Sequence, residues 1–461
     1  MRFVVAGGGI AGLAVALAVA RAGHSAVVLE RDAVEPDPSP DGAFDVARKG
    51  IPHFLQPHAF LPRGRRELGR LAPDVLDALL EAGADPQDLA LGLRGPAEPG
   101  DDDLVYLWVR RPVIEWALRR AAAAEPAVEL RSRVRITGLV TSDGAAARAL
   151  AVAVADGEPV RGDVVVDALG RYRCPPGWPR AAGDPTECGA VYYCRYFELA
   201  TGVEHLDGGP LNPLNPRGDL GYMGFNTFRG DRRTYSVILL CPSADRELRA
   251  LRDERAWMAA CSAITPLDAM TAPDYGSPIT GVMPMGGLMN VDRTGDPGVA
   301  SLVAVGDAFC HTDPAFAWGL SFSLAHGEAL ARAASDAPDA DAVVERYRAE
   351  AGPEARERHR LACEIDAART ARWRGEPLDL TRSDGCYPLF SFATALVAAR
   401  HDDLVLRRTI GRIGLLDRTD VFDDDAALHE RIESIFARLM ATPPQPAGPP
   451  RDELLARVSA A

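Results

Sequence analysis

Three rhythms of hydrophobic and polar positions succeed one another along the chain. Near the start the apolar residues run almost unbroken, through Phe3–Ala6, a stretch of small residues to about Ala22, and Ala26–Leu29. Short unbroken apolar runs mark strands buried on both faces, so this segment predicts strand, glycine turn, helix and strand, with Gly23 stopping the helix. Two later runs, at 161–167 and 299–305, read the same way, and the second leads through a loop with Pro314 into a helix from about Gly319. Between them, residues 189–290 alternate, as in "GAVYYCRYFEL" and "RTYSVILLCP", which predicts strands with one face against a core. From about residue 346 the pattern turns charged and helix-periodic. It stays helical to the proline-rich "ATPPQPAGPP" at 441–450, a linker ahead of a short terminal helix. The fold class expected is α/β, with a second, β-sheet unit inserted and a helical C-terminal region.

Composition narrows the function classes. A chain of 461 residues has room for several domains, and 47% hydrophobic with 25% charged residues is ordinary for a globular protein. The net charge of −14 argues against nucleic acid as a partner, because phosphate binding needs clustered positive charge. Cysteines 174, 188, 194, 241, 261, 310, 363 and 386 form no CxxC pair. That density is far below a disulfide framework and predicts a reduced, cytoplasmic setting without zinc. The uncharged stretch 3–20 has the length of a membrane span, but its glycines are placed for another purpose, so no span is expected.

Gly7-Gly8-Gly9-Ile10-Ala11-Gly12 is a full GxGxxG that follows a strand and opens a helix. Gly7 permits the tight turn, Gly9 lets the backbone approach a pyrophosphate, and Gly12 lets helix and strand pack closely. The helix N-terminus offers free N–H groups and a positive dipole end to the phosphates. Glu30, eighteen residues past Gly12, is placed to accept hydrogen bonds from an adenosine ribose. The motif predicts a dinucleotide and does not by itself choose between NAD and FAD.

Two further motifs, Asp167-Ala168-Leu169-Gly170 and Gly306-Asp307 followed by Pro314 and Gly319, complete a set whose order and spacing resemble the class A FAD-dependent monooxygenases, which share the fold of para-hydroxybenzoate hydroxylase. The segments 48–84, 110–122 and 406–432 resemble stretches of the bacterial epoxidase and hydroxylase branch of that family. The resemblance implies a Rossmann-like FAD-binding domain over 1–175 and 291–345, a β-sheet substrate domain over 176–290, and a helical region over 346–461. It further implies FAD held by Gly7, Gly9, Ile10, Ala11, Gly12, Glu30, Arg31, Arg111, Val134, Gly306, Asp307, Pro314, Gly319 and Leu320. Asp307 would fix the ribityl hydroxyls, and the helix near Gly319 would aim its N–H groups at the flavin N1–C2=O edge. Such enzymes take electrons from NADPH or NADH, which visit transiently, and transfer oxygen from O2 through a flavin C4a-hydroperoxide. The activity implied is hydroxylation or epoxidation of an apolar small molecule of the secondary-metabolite kind. Rival readings are a reductase of the geranylgeranyl-reductase type, a flavin-dependent halogenase, and a flavin-free binding protein that keeps the fold.

The chain departs from the family pattern at three places. Cys310 stands where histidine is usual, Ala317 replaces the first glycine of PxxGxG, and the second motif reads DALG. His58 matches a histidine of the family segment, which implies a proton relay or flavin contact, and with Asp307 it is an expected catalytic residue. His53 and His311 remain open, and the triplet Cys310, His311 and Asp313 reads as packing beside the cofactor, not as a metal clip. Tyr193 and Tyr222 in the alternating region, with Phe316 and Trp318 in the loop, are the expected substrate contacts. Lys49 is the one lysine, and the WxWxIP motif of flavin-dependent halogenases is absent.

Overall fold

The computed structural model describes residues 1–34, 39–46, 48–143, 147–171, 174–206, 213–417, 425–442 and 445–461. Residues 418–424 of the expected helical tail and 443–444 of the proline-rich stretch therefore lie outside the described residues. Five parallel strands form one sheet in the order Leu302–Ala304, Val164–Asp167, Arg2–Ala6, Ser25–Leu29 and Val128–Arg131. Their apolar residues are buried except at Val128, Leu130 and Ala304, because helices Ile10–Arg21 and Trp318–Asp336 pack together over one face and the strands Ile136–Thr141 and Ala149–Val154 with Trp178 cover the other. That burial on both faces is what the unbroken runs required. The small residues of Ile10–Arg21 permit the approach: a Cβ on Gly327 would lie 3.0 Å from Ala14 O.

The second large sheet is antiparallel, in the order Arg217–Asp219, Gly224–Arg229, Thr234–Pro242, Ala190–Leu199 and Gly276–Pro278, with Met283–Met285 also pairing to Ala190–Leu199. Its two faces do different work. Tyr193, Phe197, Tyr235 and Leu239 enclose one core with Trp257, while Cys188, Tyr192, Cys194 and Ile238 turn to the other side. The terminal helix Arg451–Ala460 docks on the first of these cores through Leu454 and Val458. Arg451 fastens it by pairing with Asp245 at 2.9 Å and Glu247 at 2.7 Å.

A 34-residue helix, Ala340–Trp373, runs unbroken through position 346, where the sequence changes character. It packs along Trp318–Asp336 and against the strand Met289–Asp292, and carries Leu361, Ala362 and Ile365 into an aromatic cluster with Trp108, Trp318 and Phe390. Among the described residues no helix is long and apolar enough to cross a membrane; the stretch resembling a span is the twelve-residue helix Ile10–Arg21 between two strands.

Candidate active site

One cavity of about 630 Å³ runs from the glycine turn at the start of the chain to the loop before Trp318. At one end stand Gly7, Gly9, Ile10 and Ala11, with Glu30, Arg31 and Val134 beside them. At the other stand Asp307, Pro314, Trp318, Gly319 and Leu320, with Arg111 and His58 also in the wall. The structure thus brings fourteen of the sequence-expected residues to one space (Gly7, Gly9, Ile10, Ala11, Glu30, Arg31, Val134, His58, Arg111, Asp307, Pro314, Trp318, Gly319 and Leu320). Gly12 and Gly306 stand behind the wall. A Cβ on Gly12 would sit 1.9 Å from Gly7 O, so this position shapes the turn by packing. Gly306 adopts φ +57° and gives its N–H to His326 Nδ1 at 3.0 Å, which fixes the strand end ahead of Asp307.

Three expected substrate contacts lie elsewhere. Strand residues alternate faces, so Tyr193 points away from the cavity into the core around Trp257, and its neighbour Tyr192 takes the inward side. Tyr222 packs on that same far core and donates its hydroxyl to Pro449 O at 2.8 Å, holding the linker before the terminal helix. Phe316 is buried behind Trp318, stacked on it at 4.6 Å between ring centroids, and only Trp318 reaches the cavity.

Both helices that begin at the cavity start without a side-chain cap. The N-cap residues are Gly9 for Ile10–Arg21 and Ala317 for Trp318–Asp336, and neither offers a side-chain acceptor. Free N–H groups at such an end attract negative charge. Ala317 sits at φ 56°, in the left-handed region where a Cβ costs about 1 kcal/mol or somewhat more. Ala317→Gly is therefore expected to raise stability by up to about 1 kcal/mol, partly offset by the freer unfolded chain. Urea unfolding of the two proteins checks this.

Around the ribose end lies a balanced buried ion network. Arg48 pairs with Glu30 at 3.0 Å, Glu115 at 2.9 Å and Asp32 at 3.6 Å, while Arg111 and Arg119 each pair with Glu115. Burial works to raise the Glu30 pKa, but Arg48 and the Asp32 N–H outweigh it and leave the carboxyl below its ordinary range. Glu30 also accepts from Gly8 N–H at 3.0 Å, which ties the acid to the glycine turn. Arg111 is buried in the cavity wall, where its Nη1 lies 3.3 Å from Glu115 Oε2 without hydrogen-bond geometry.

The histidines of the wall are all neutral. His58 donates Nδ1–H to Gln56 O at 2.7 Å, and burial, with Arg111 nearby, pushes its pKa down to about 4. His53 lies 6.0 Å from it, ring to ring, with its pKa driven well below the usual value by burial and its buried Nδ1 without a hydrogen-bond partner among the described residues. His311 answers the question left open about its reach. Nδ1 donates to Met289 O at 2.6 Å, and Nε2 accepts from Arg171 Nη1 at 2.6 Å, so both ring nitrogens are engaged. Asp167 is likewise fully used, accepting from Arg180, Trp178 and Leu169.

Three residues of the wall, Arg48, Gln56 and Arg171, were not singled out from sequence, nor was Tyr192, which holds Asp313 from behind the wall. Each earns its place through partners far away in the chain, such as Cys194 donating to Gln56 Oε1, and no local motif marks them. Asp313, read as packing, is buried at the cavity wall with three donors on its carboxylate.

No family profile matches the sequence, and no curated protein matches it. Solved structures do. The chain superposes on pqsL, described as "a probable FAD-dependent monooxygenase from Pseudomonas aeruginosa", with 18% identity, 82% of this chain and 99% of that one covered, and a TM-score of 0.57. For the flavin-dependent brominase Bmp2 the figures are 16% identity, 95% and 100% coverage, and 0.61. For 2-methyl-3-hydroxypyridine-5-carboxylic acid oxygenase they are 16%, 81% and 92%, and 0.54. The chain has the fold of these flavin-dependent proteins.

Proposed function

We propose that the protein is a FAD-dependent monooxygenase that uses NADH or NADPH and O2 to hydroxylate or epoxidise an apolar small molecule. The observation that carries this reading is the single cavity with an uncapped helix N-terminus at each end, a ribose-competent acid at one and an aspartate at a strand end at the other. The residues suit FAD chemically. Gly7, Gly9, Ile10 and Ala11 offer backbone to the pyrophosphate, Glu30 accepts from the ribose, and Arg31 and Val134 flank the adenine. Arg111, held by its ion pair with Glu115, supplies a cationic donor in the wall, Asp307 accepts from the ribityl chain, and Gly319 with Leu320 presents helix N–H groups to the flavin ring.

Bound there, FAD supplies the redox and oxygen chemistry, and the protein contributes binding, orientation and electrostatics. Ile51, Pro52, Met285, Trp318 and Phe322 keep water from the ring end of the cavity. His58 and His53, both neutral, place hydrogen-bonding nitrogens there without adding charge. The apolar share of that lining supports an apolar substrate.

The brominase likeness supports a second reading, halogenation. Against it, Lys49 is solvent-exposed and stands outside the cavity wall, where it could not hold a reactive halogen species for a substrate inside. Purified, reconstituted protein should show a flavin absorbance spectrum, and one compound class should stimulate its NAD(P)H oxidation. Label from O2 in the product supports the monooxygenase; halide-dependent product supports the second reading. Unlabelled product from competent turnover sinks the first in favour of a reductase.

A further inference from the structure

The turn that brings Asp313 into the cavity wall is anchored by a buried polar cluster that the proposed chemistry leaves unused. Asp313 Oδ1 accepts from the Tyr192 hydroxyl and from Ala315 N–H at 3.0 Å, and Oδ2 accepts from Arg369 Nη2 at 2.7 Å. Asn290 joins both acids: its Oδ1 accepts from Asp313 N–H at 2.7 Å, and its Nδ2 donates to Asp366 Oδ2 at 2.8 Å. The remaining oxygen, Asp366 Oδ1, is buried 2.9 Å from Arg369 Nη2 but receives a hydrogen bond from no donor among the described residues. Cys188 Sγ and oxygens of both carboxyls fall within 4.8 Å of one another, a spacing that could suit a metal ion. The cation there is already supplied, because the Arg369 guanidinium touches both acids.

One guanidinium facing two carboxyls leaves an unpaired charge in a dry setting unless one acid keeps its proton. Asp313 accepts from three donors and so is the ionised member. Asp366 has the oxygen that lacks a donor, which is where a proton would sit. Asp313 in turn caps the short Pro314–Phe316 turn, which leads through Ala317 into Trp318 at the head of the cavity helix. We propose that Asp366 is a positioning residue that remains a carboxylic acid, donates its Oδ1–H to Asp313, and so holds the 313–317 turn in the cavity wall. The expectation that flavin fills this cavity rests on the function proposed above; the proton on Asp366 does not.

Burial and the Asp313 charge raise the Asp366 pKa to about 9. For Asp313 burial opposes ionisation, but Arg369 and the Asp366 hydroxyl overcome it and leave that carboxyl below its usual range. The other titratable groups facing the pair are Tyr192 and Cys188 from the sheet side, Cys363 one turn earlier on the helix, and His311 two residues from Asp313. A folded pKa raised above the unfolded value of 3.8 gives stability that is full below about pH 4 and lost as pH climbs toward about 9.

The test compares wild type with Asp366→Asn, a neutral donor at every pH, and Asp366→Leu, which has no donor. Urea unfolding of the apoprotein from pH 5 to 9 should show wild type losing ground to Asp366→Asn by about tenfold in unfolding equilibrium per pH unit. FAD affinity of wild type should weaken about fourfold at half a unit past the midpoint, while Asp366→Asn stays flat. Asp366→Leu, confirmed folded by circular dichroism, should bind FAD weakly at every pH. Parallel unfolding curves for wild type and Asp366→Asn overturn the proton assignment, and wild-type FAD affinity in Asp366→Leu overturns the positioning role. Failure of every protein to bind FAD instead sinks the flavin reading, and the unfolding curves still decide where the proton sits.

Discussion

Arg48→Leu is expected to lower stability by about 3–5 kcal/mol, the cost of leaving buried carboxylates without their shared cation. The Arg48 side chain is 1% exposed and is the one group in contact with Glu30, Asp32 and Glu115 together. Without it Glu30 and Glu115 are left to Arg111 and Arg119, both already paired with Glu115, and Asp32 keeps only the partly exposed Arg31 at 3.7 Å. Arg48→Lys should recover only part of the loss, since a single ammonium cannot span three acids as a planar guanidinium does. Arg21→Leu makes the control: Arg21 pairs with Asp74 at 2.8 Å, but in partly exposed surroundings where such a pair contributes about 1 kcal/mol or less. Urea unfolding followed by circular dichroism separates these outcomes. The same substitution should weaken FAD binding, because Arg48 aligns Glu30, whose other contacts are the N–H groups of Gly8 and Asp32. A variant that unfolds like wild type would mean that water already screens the network.

The parts of this structure that local pattern could reveal are those whose cause is local. Gly7 and Gly12 must be glycine because each Cβ would collide with backbone of the same strand–turn–helix unit or its neighbour. Continuous apolar runs announced the parallel sheet because both of its faces are covered, one by helices and the other by the strands Ile136–Thr141 and Ala149–Val154 with Trp178. The choice between Tyr192 and Tyr193 was a different kind of question. Alternation shows that two neighbours face opposite sides of the sheet, but which one turns toward Asp313 depends on how the strand sits against Trp257 and the helix Ala340–Trp373, partners distant along the chain. Phe316 and Trp318 posed the same problem: both are aromatic and two apart, and the left-handed turn at Ala317 decides that one stacks behind the other. Asp313 looked like loop packing because its partners, Tyr192, Arg369 and Asn290, come from three separate segments. Arg48 escaped notice for the same reason, with an unremarkable "RKG" context and carboxylates at positions 30, 32 and 115.

Acid should unfold this protein through its histidines as much as through its carboxylates. His326 is 4% exposed, enclosed by Phe309, Phe322 and Tyr347, and burial pushes its pKa down to about 4. A depressed folded pKa means that the unfolded chain binds the proton first, so the stability it contributes is intact above about pH 6.5 and is lost as pH falls toward 4. Across that interval of roughly 2.5 units the loss is about 3 kcal/mol from this one residue. His58 and His205 are pushed down to about 4 as well, and add smaller amounts because both are partly accessible. Protonation of His326 also removes the acceptor for Gly306 N–H, so the strand end that presents Asp307 loosens as the cation forms. His326→Asn keeps an oxygen for that N–H but cannot titrate. It should start less stable at pH 7, through the lost ring packing, and then lose less on acidification, flattening the slope between pH 6.5 and 4. Equal slopes for the two proteins over that range would place the acid sensitivity elsewhere. If FAD binds as proposed, flavin release should track the same interval, since the Gly306–Asp307 corner fails before the sheet does.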